Sequence, residues 1–510
     1  MLLRRAGPDA ASPASAGDDF RTRDPGTAAL IAILAAICLA RIIALFVSPS
    51  DLGFDEAQYW AWSRELRFGY FSKPPMIAWF MALEDAICGS GAACLRAGSP
   101  IVHFAAALIL ALLARRLYGA ATGFWTGVFH ALLPGVAVSS FLMTTDVLLL
   151  LFWSAALYVL FVHIERPGWV TALAFGALAG AGLNAKYAMG YLPVLAGIAA
   201  IAEPTARRAL VRWHSLAALA VMAAMIAPNF WWNIENGFAT FSHTGENIGW
   251  SLDRLNPVKG FSFLGAQFGL AGPVVFGAML TALFLNRRSE APGTDRLLVW
   301  LSMPLIGALT VQGFLSQANP NWAAAAYPAG LIVATALMVR HRQRVWFNAN
   351  LAICGGISLF LVVATATFEP RTAERPLHKL RELDGWSETA AGLAAVARAR
   401  GARRVVTWGR PLTAGMIWAL RGEPLTVLAW VPPGSEPGNQ FELDAPWRLG
   451  DGTEGALLFG VDDDAARLAG AHPITTIGAP IYLARDGRMT VYGFGADQAP
   501  GRIEPSGESG

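Results

Sequence analysis

The chain has 510 residues, of which 55% are apolar and only 15% charged, and the apolar residues gather in blocks long enough to cross a bilayer; this is a polytopic membrane protein. A formal net charge of +3, with no basic run interleaved with aromatics, excludes nucleic acid as a partner. Four cysteines are too few for a disulfide scaffold, no Cys/His cluster has zinc-like spacing, and the sequence shows no metal site and calls for no cofactor.

Residues 1–27 are rich in Ala, Pro, Ser, Asp and Arg without periodicity and read as a disordered tail. Arg4, Arg5, Arg21 and Arg23 then precede the apolar run 28–47, which at about twenty residues is too long and too far along for a cleaved signal. It reads as an anchoring helix. Further spans are expected near 99–114, 122–140, 147–163, 169–184, 188–202, 213–229, 260–286, 297–315, 323–339 and 346–366, about eleven in all by hydropathy.

Charge gives the orientation. With a cytoplasmic N-terminus every second loop should be basic, and those loops hold Arg115 and Arg116; Arg166; Arg207, Arg208 and Arg212; Arg287 and Arg288; and Arg340, Arg342 and Arg344. The 48–98 loop, the loops around Thr145, Lys186, 229–259 and Asn319, and everything after about residue 367 then lie on the far side of the membrane. Glycines such as those in GALAGAGL, 176–183, read as close helix contacts. Cys38 and Cys354 fall inside spans, whereas Cys88 and Cys94 flank a short outer loop where a disulfide is possible and is left open. From residue 369 helix-like and strand-like stretches alternate, so 367–495 is expected as a small α/β domain after a membrane domain at 28–366, with 496–510 a second disordered tail.

The polar groups worth explaining stand at the outer ends of spans. Charges there are costly, which favours a working role for Asp55 and Glu56, although D-x-x-Q with Gln58 is also a capping-box pattern. Tyr59, Trp60 and Trp62 follow on an aromatic stretch suited to the headgroup level. Lys73, in FSKPP, suits a phosphate as a point charge or equally a snorkelling lysine. Asp146 opens a span and fits a helix cap, while Lys186 is a lone cation on the outer side and a second phosphate candidate. The loop PNFWWNIENGFATFSHTGENIGW supplies Trp232, Asn233, His243 and Glu246, and NPNW supplies Asn321; aromatics mixed with amides and acids suit a sugar. Asp462, Asp463 and Asp464 form a D-x-D string, which reads as a turn or helix cap, since nucleotide sugars are cytoplasmic and this stretch is expected outside.

The motifs FDEAQYWAWS…GYFSKPPMIAW, TTDVLLLLFW, AKY, APNFWWNIENG and NPNWAAAAYPA resemble those of the polyprenol-phosphate-sugar-dependent glycosyltransferases of the GT-C fold, the family holding the protein O-mannosyltransferases and the lipid A aminoarabinose transferases. The resemblance runs from about residue 50 to 370. It implies Asp55 as catalytic base with Glu56 beside it, Asp146 as the second outer-loop acid, and Lys73 as a contact to the donor phosphate. Lysine in place of the His-Pro-Pro of many relatives sets the chain nearer the aminoarabinose-type branch, and NQFEL at 439–443 resembles the outer domain of bacterial relatives.

The expectation is therefore a polytopic α-helical GT-C protein with a small C-terminal periplasmic α/β domain. It would move a sugar from a polyprenyl-phosphate donor to an acceptor on lipid A, an envelope glycan, a lipid or a protein. Asp55 would act as base and lysines would steady the departing phosphate. The alternative is a sugar-lipid flippase or transporter using the same charges.

Overall fold

The computed structural model describes residues 25–249, 255–287, 292–372, 374, 378–484 and 486–494, so the expected tails at 1–27 and 496–510 fall almost wholly outside the described residues. The chain divides into two compact units, one of residues 1–48 and 67–367 and the other of 49–66 and 368–510. The second unit thus takes in a stretch of the 48–98 loop as well as the C-terminal region.

The first unit is helical because its sequence is apolar in long runs, and its breaks fall where proline and glycine interrupt them. Its helices are α1 (Thr27–Val47), then, after α2 of the other unit (Phe54–Ser63), α3 (Met76–Cys88), α4 (Ala92–Arg96), α5 (Gly98–Tyr118), α6 (Ala120–Leu132), α7 (Pro134–Ser139), α8 (Thr145–Glu165), α9 (Trp169–Ala185) and α10 (Tyr191–Ala202). There follow α11 (Pro204–Leu210), α12 (Trp213–Glu235), α13 (Ala239–Ile248), α14 (Pro257–Leu270), α15 (Pro273–Arg287), α16 (Gly293–Trp300), α17 (Met303–Leu315), α18 (Tyr327–Arg340) and α19 (Arg344–Thr367). Among the described residues seven helices are long and apolar enough to cross a membrane, or eight if α14 and α15 are one broken span; α9 and the stretch Tyr187–Ala202 are shorter apolar helices.

Among the single spans expected from sequence that are broken, two show the cause plainly. The run 260–286 becomes α14 and α15, set at 116° to each other, because Gly272 adopts φ +79° and Pro273 can only begin a new helix. The run 122–140 breaks at Leu133 for the same reason, with Pro134 opening α7.

Packing between helices depends on small residues. A methyl on Gly180 would lie 2.7 Å from Met225 Cβ, and one on Gly127 3.1 Å from Ala111 Cβ, so α9 meets α12 and α6 meets α5 at close range. One buried charge crosses this apolar interior: Arg41 on α1 donates to Ser140 Oγ at 2.9 Å and to Ser358 Oγ at 3.1 Å, tying α1 to the α7 turn and to α19. Cys88 and Cys94 are disulfide-bonded, closing the turn between α3 and α4, and Cys354 is a buried free thiol.

The second unit is an α/β domain. Its elements run α20 (Trp386–Arg400), β1 (Arg404–Thr407), α21 (Arg410–Ala419), β2 (Thr426–Trp430), α22 (Gln440–Asp444), β3 (Pro446–Trp447), β4 (Ala456–Phe459), α23 (Asp463–Leu468), β5 (His472–Gly478) and β6 (Arg488–Gly493). The sheet order is β3-β2-β1-β4-β6-β5, with β1 parallel to β2 and β4, and β6 antiparallel to both β4 and β5. Strand β4 is buried at every position, as a central strand covered on both faces must be: Leu457 and Phe459 pack with Trp386 and Leu393 on one side, and Leu458 with Trp430 and Trp447 on the other. Asp462 caps α23, its Oδ1 accepting from the Ala465 amide at 2.7 Å, so the acidic string is a helix start. α2 packs against α21 within this unit.

Candidate active site

In the membrane unit three chain breaks bring three expected residues together. Asp146 is the second residue of α8, Lys186 occupies the extended link after α9, and Asn321 lies on the 3-10 turn Pro320–Ala326. Lys186 Nζ lies 2.7 Å from Asp146 Oδ1, and Asn321 Nδ2 donates to Asp146 Oδ2 at 2.9 Å. Each carboxylate oxygen therefore has its own donor. The lone cation expected from sequence is in fact paired, and the carboxylate expected to cap α8 reaches across to α9 instead. Both side chains keep some exposure, 13% for Asp146 and 20% for Lys186, so a solvent-facing anion can still compete for the lysine.

Lys73 ends a tight turn in which the Tyr70 amide donates to the Lys73 carbonyl at 3.2 Å. That turn is held from below. Asn229 Nδ2 donates to Phe68 O at 2.7 Å, Thr240 Oγ1 donates to Tyr70 O at 2.7 Å, and Gly69 lies so close to the Trp232 ring that a Cβ there would come within 2.7 Å of its Cδ2. Asn233 is fully buried, its Nδ2 donating to Asn229 O at 3.0 Å and its Oδ1 accepting from the Thr240 amide at 3.2 Å. Trp232 and Asn233 thus form the bed of the Lys73 turn, and the buried amide spends its hydrogen bonds on the fold. His243 and Glu246 fall on α13, and their side chains lie outside the described residues.

The second unit separates the two adjacent carboxylates of α2. Gly53 is the N-cap, and Glu56 Oε2 accepts from its amide at 3.0 Å, so the one side-chain half of a capping box that a glycine N-cap allows closes from Glu56 onto Gly53 and not between Asp55 and Gln58. Glu56 is buried, while the Asp55 side chain is 54% exposed. Tyr59, one turn on, is buried with its ring against Trp62.

Asp55 has a partner that no local pattern announces. Arg410, the first residue of α21, places Nη1 2.6 Å from Asp55 Oδ1 and donates from the same nitrogen to Gln58 Oε1 at 3.2 Å. Its guanidinium lies over the Phe54 ring at 4.9 Å, and Phe54 stacks on Tyr482. Burial pushes the nearby Glu382 carboxyl up to about 7, with the charges of Asp55 and Glu56 adding to the effect. Arg410 and Glu382 were both missed from sequence, because each meets α2 only through the fold.

Residues 72–232 match the family model described as dolichyl-phosphate-mannose-protein mannosyltransferase. The chain is 35% identical over 431 residues to the lipid A galacturonosyltransferase RgtD of Rhizobium johnstonii, covering 84% of this chain and 90% of that protein. The chain belongs to this family of GT-C glycosyltransferases. A second relative, the lipopolysaccharide core galacturonosyltransferase RgtA of the same organism, is 30% identical over 41% of this chain and 42% of its own length. The fold is shared with ArnT from Cupriavidus metallidurans, at 16% identity: TM-score 0.63 for the apo state, over 91% of this chain and 98% of that one, and 0.66 for the structure bound to undecaprenyl phosphate, over 92% and 98%. This glycosyltransferase is a multi-pass membrane enzyme, and the transport alternative finds no support among these relatives.

Proposed function

We propose that the enzyme transfers a uronic sugar, galacturonic acid, from a polyprenyl-phosphate donor to lipid A or the lipopolysaccharide core at the periplasmic face of the inner membrane. The observation that carries this is the 35% identity to a lipid A galacturonosyltransferase across nine-tenths of that protein's length. The residues present suit the chemistry. Lys186, already balanced by Asp146, and Lys73, on its braced turn, are the groups to hold the donor phosphate and offset its growing charge as it departs. Asp55, the exposed carboxylate of α2, is the group to take the proton from the acceptor hydroxyl as that oxygen attacks the anomeric carbon. Displacement in line from a phosphate inverts the anomeric centre. On this reading 28–366 is the transferase body and 367–495 a periplasmic domain, with the N-terminus cytoplasmic.

The test is mass spectrometry of lipid A and core oligosaccharide from cells with wild type, a deletion, and Asp55→Asn. Loss of one galacturonic acid in both mutants, regained with wild type, is the expected result. Loss of a different sugar would overturn the donor assignment, and an unchanged profile in both would overturn the reading altogether.

A further inference from the structure

The membrane unit carries a second polar feature at the opposite end of α8 from Asp146. Glu165 is nineteen residues further along that helix, about 30 Å away at 1.5 Å per residue. There a cavity of about 1440 Å³ opens, with Arg115, Arg116, Arg166, Arg208, Arg212 and Arg340 on its walls. Two of these arginines meet carboxylates in the described residues: Arg116 pairs with Glu165, and Arg340 with Asp295 at 2.8 Å. Among the described residues no carboxylate pairs with Arg166, Arg208 or Arg212. The last two are nonetheless braced, since Arg208 Nε donates to Pro204 O at 3.2 Å and Arg212 Nε to Arg208 O at 2.9 Å, which fixes the stems and leaves the outer nitrogens for another acceptor.

We propose that this cavity binds the headgroup of an anionic membrane lipid carrying two phosphates. Guanidinium groups match phosphate oxygens in pairs, and basic pockets between membrane helices suit such headgroups. Three uncompensated arginines exceed what one phosphate monoanion needs, and the volume exceeds it too. A lipid fits better than a soluble anion because the walls are also apolar, with Leu112, Phe161 and Ile164 beside the arginines. Trp169 and Trp213, which begin α9 and α12, are 58% and 80% exposed, as tryptophans are at the headgroup level. The inference is independent of the sugar and the acceptor.

The experiment is native mass spectrometry of the purified full-length chain in detergent, titrated separately with cardiolipin, phosphatidylglycerol and pyrophosphate. Wild type should retain cardiolipin in preference to phosphatidylglycerol, and the triple variant R166Q/R208Q/R212Q should bind it about tenfold or more weakly. R207Q, on the same α11 but off the cavity wall, should bind as wild type does. Equal cardiolipin binding by wild type and triple variant overturns the proposal, as does an equal loss in R207Q, which would mean general surface charge. Pyrophosphate binding as tight as cardiolipin would assign the cavity to a soluble anion and overturn the lipid. If the triple variant does not fold, the three single variants decide: each should weaken binding several-fold, and no change in any of them overturns the proposal.

Discussion

Arg410 holds Asp55 at 2.6 Å across 355 positions of sequence. The pair is partly exposed, 35% for the arginine and 54% for the acid, so its worth to stability is at most about 1 kcal/mol. If Asp55 is the base, as proposed, the worth of Arg410 to catalysis is positional, because a base must present its oxygen to the acceptor in one geometry. Arg410→Gln should therefore cut the transfer rate by about tenfold or more while the melting temperature moves little; Asp55→Asn should cut it by about a hundred- to ten-thousand-fold. Initial rates in proteoliposomes beside thermal unfolding check both, and a large stability loss in Arg410→Gln would make the pair structural.

Glu382 sets a pH dependence. Its folded pKa, raised from 4.5 to about 7, lies above the unfolded value, so the folded state binds the proton more tightly. The stability this gives is fully present below pH 4.5 and is lost as pH rises through 7. Wild type should lose melting temperature over that interval, and Glu382→Gln should flatten the slope. Unfolding curves of the full-length protein at several pH values would read it, and parallel slopes for the two would refute the assignment.

The Asp146–Lys186 pair should behave as a coupled unit. Removing either charge leaves the other part-buried and unpaired, so Lys186→Met and Asp146→Leu should each destabilise by about 1–3 kcal/mol, with the double variant costing less than their sum. If Lys186 holds the donor phosphate, Lys186→Gln should also raise KM for the donor lipid. A double-mutant cycle by unfolding, alongside steady-state kinetics, separates the two effects; strict additivity would mean that the pair does not couple.

Gly180 tests the helix contact. A leucine there must displace Met225 and drive α9 from α12, costing about 1–3 kcal/mol, whereas the same change at Gly197, which has open space around it, should be tolerated. Thermal unfolding of both variants in one detergent decides it, and equal effects would place the close contact elsewhere.

The membrane body was legible because hydropathy registers long apolar runs, and the C-terminal domain because helix and strand periods alternate after residue 369. What hydropathy averages away is direction: Pro273 and Pro134 were plain in the sequence, yet a sliding window runs across them, and the 116° bend after α14 needed the backbone of Gly272. At the candidate site the local signal was off by two residues. Glu56 caps the Gly53 amide where Asp55 and Gln58 had suggested a capping box, because the helix begins earlier than its first acid. Lys186 looked solitary because its partner lies forty positions back, and Arg410 was invisible because nothing near residue 410 hints at α2. Pairings of that length are written in topology, which a single sequence states only indirectly.

The inclusion of 49–66 in the same compact unit as 368–510 has a consequence for the order of synthesis. The helix carrying Asp55 leaves the ribosome soon after the first span, but Glu382 and Arg410 follow only when more than three hundred further residues have been made. Until then Asp55 lacks Arg410 and its helix lacks α21. A chain halted in the membrane body after Lys186 would hold both lysines proposed for the donor and still lack the partners of the proposed base, so on that proposal the capacity to transfer sugar arrives only with the C-terminal domain.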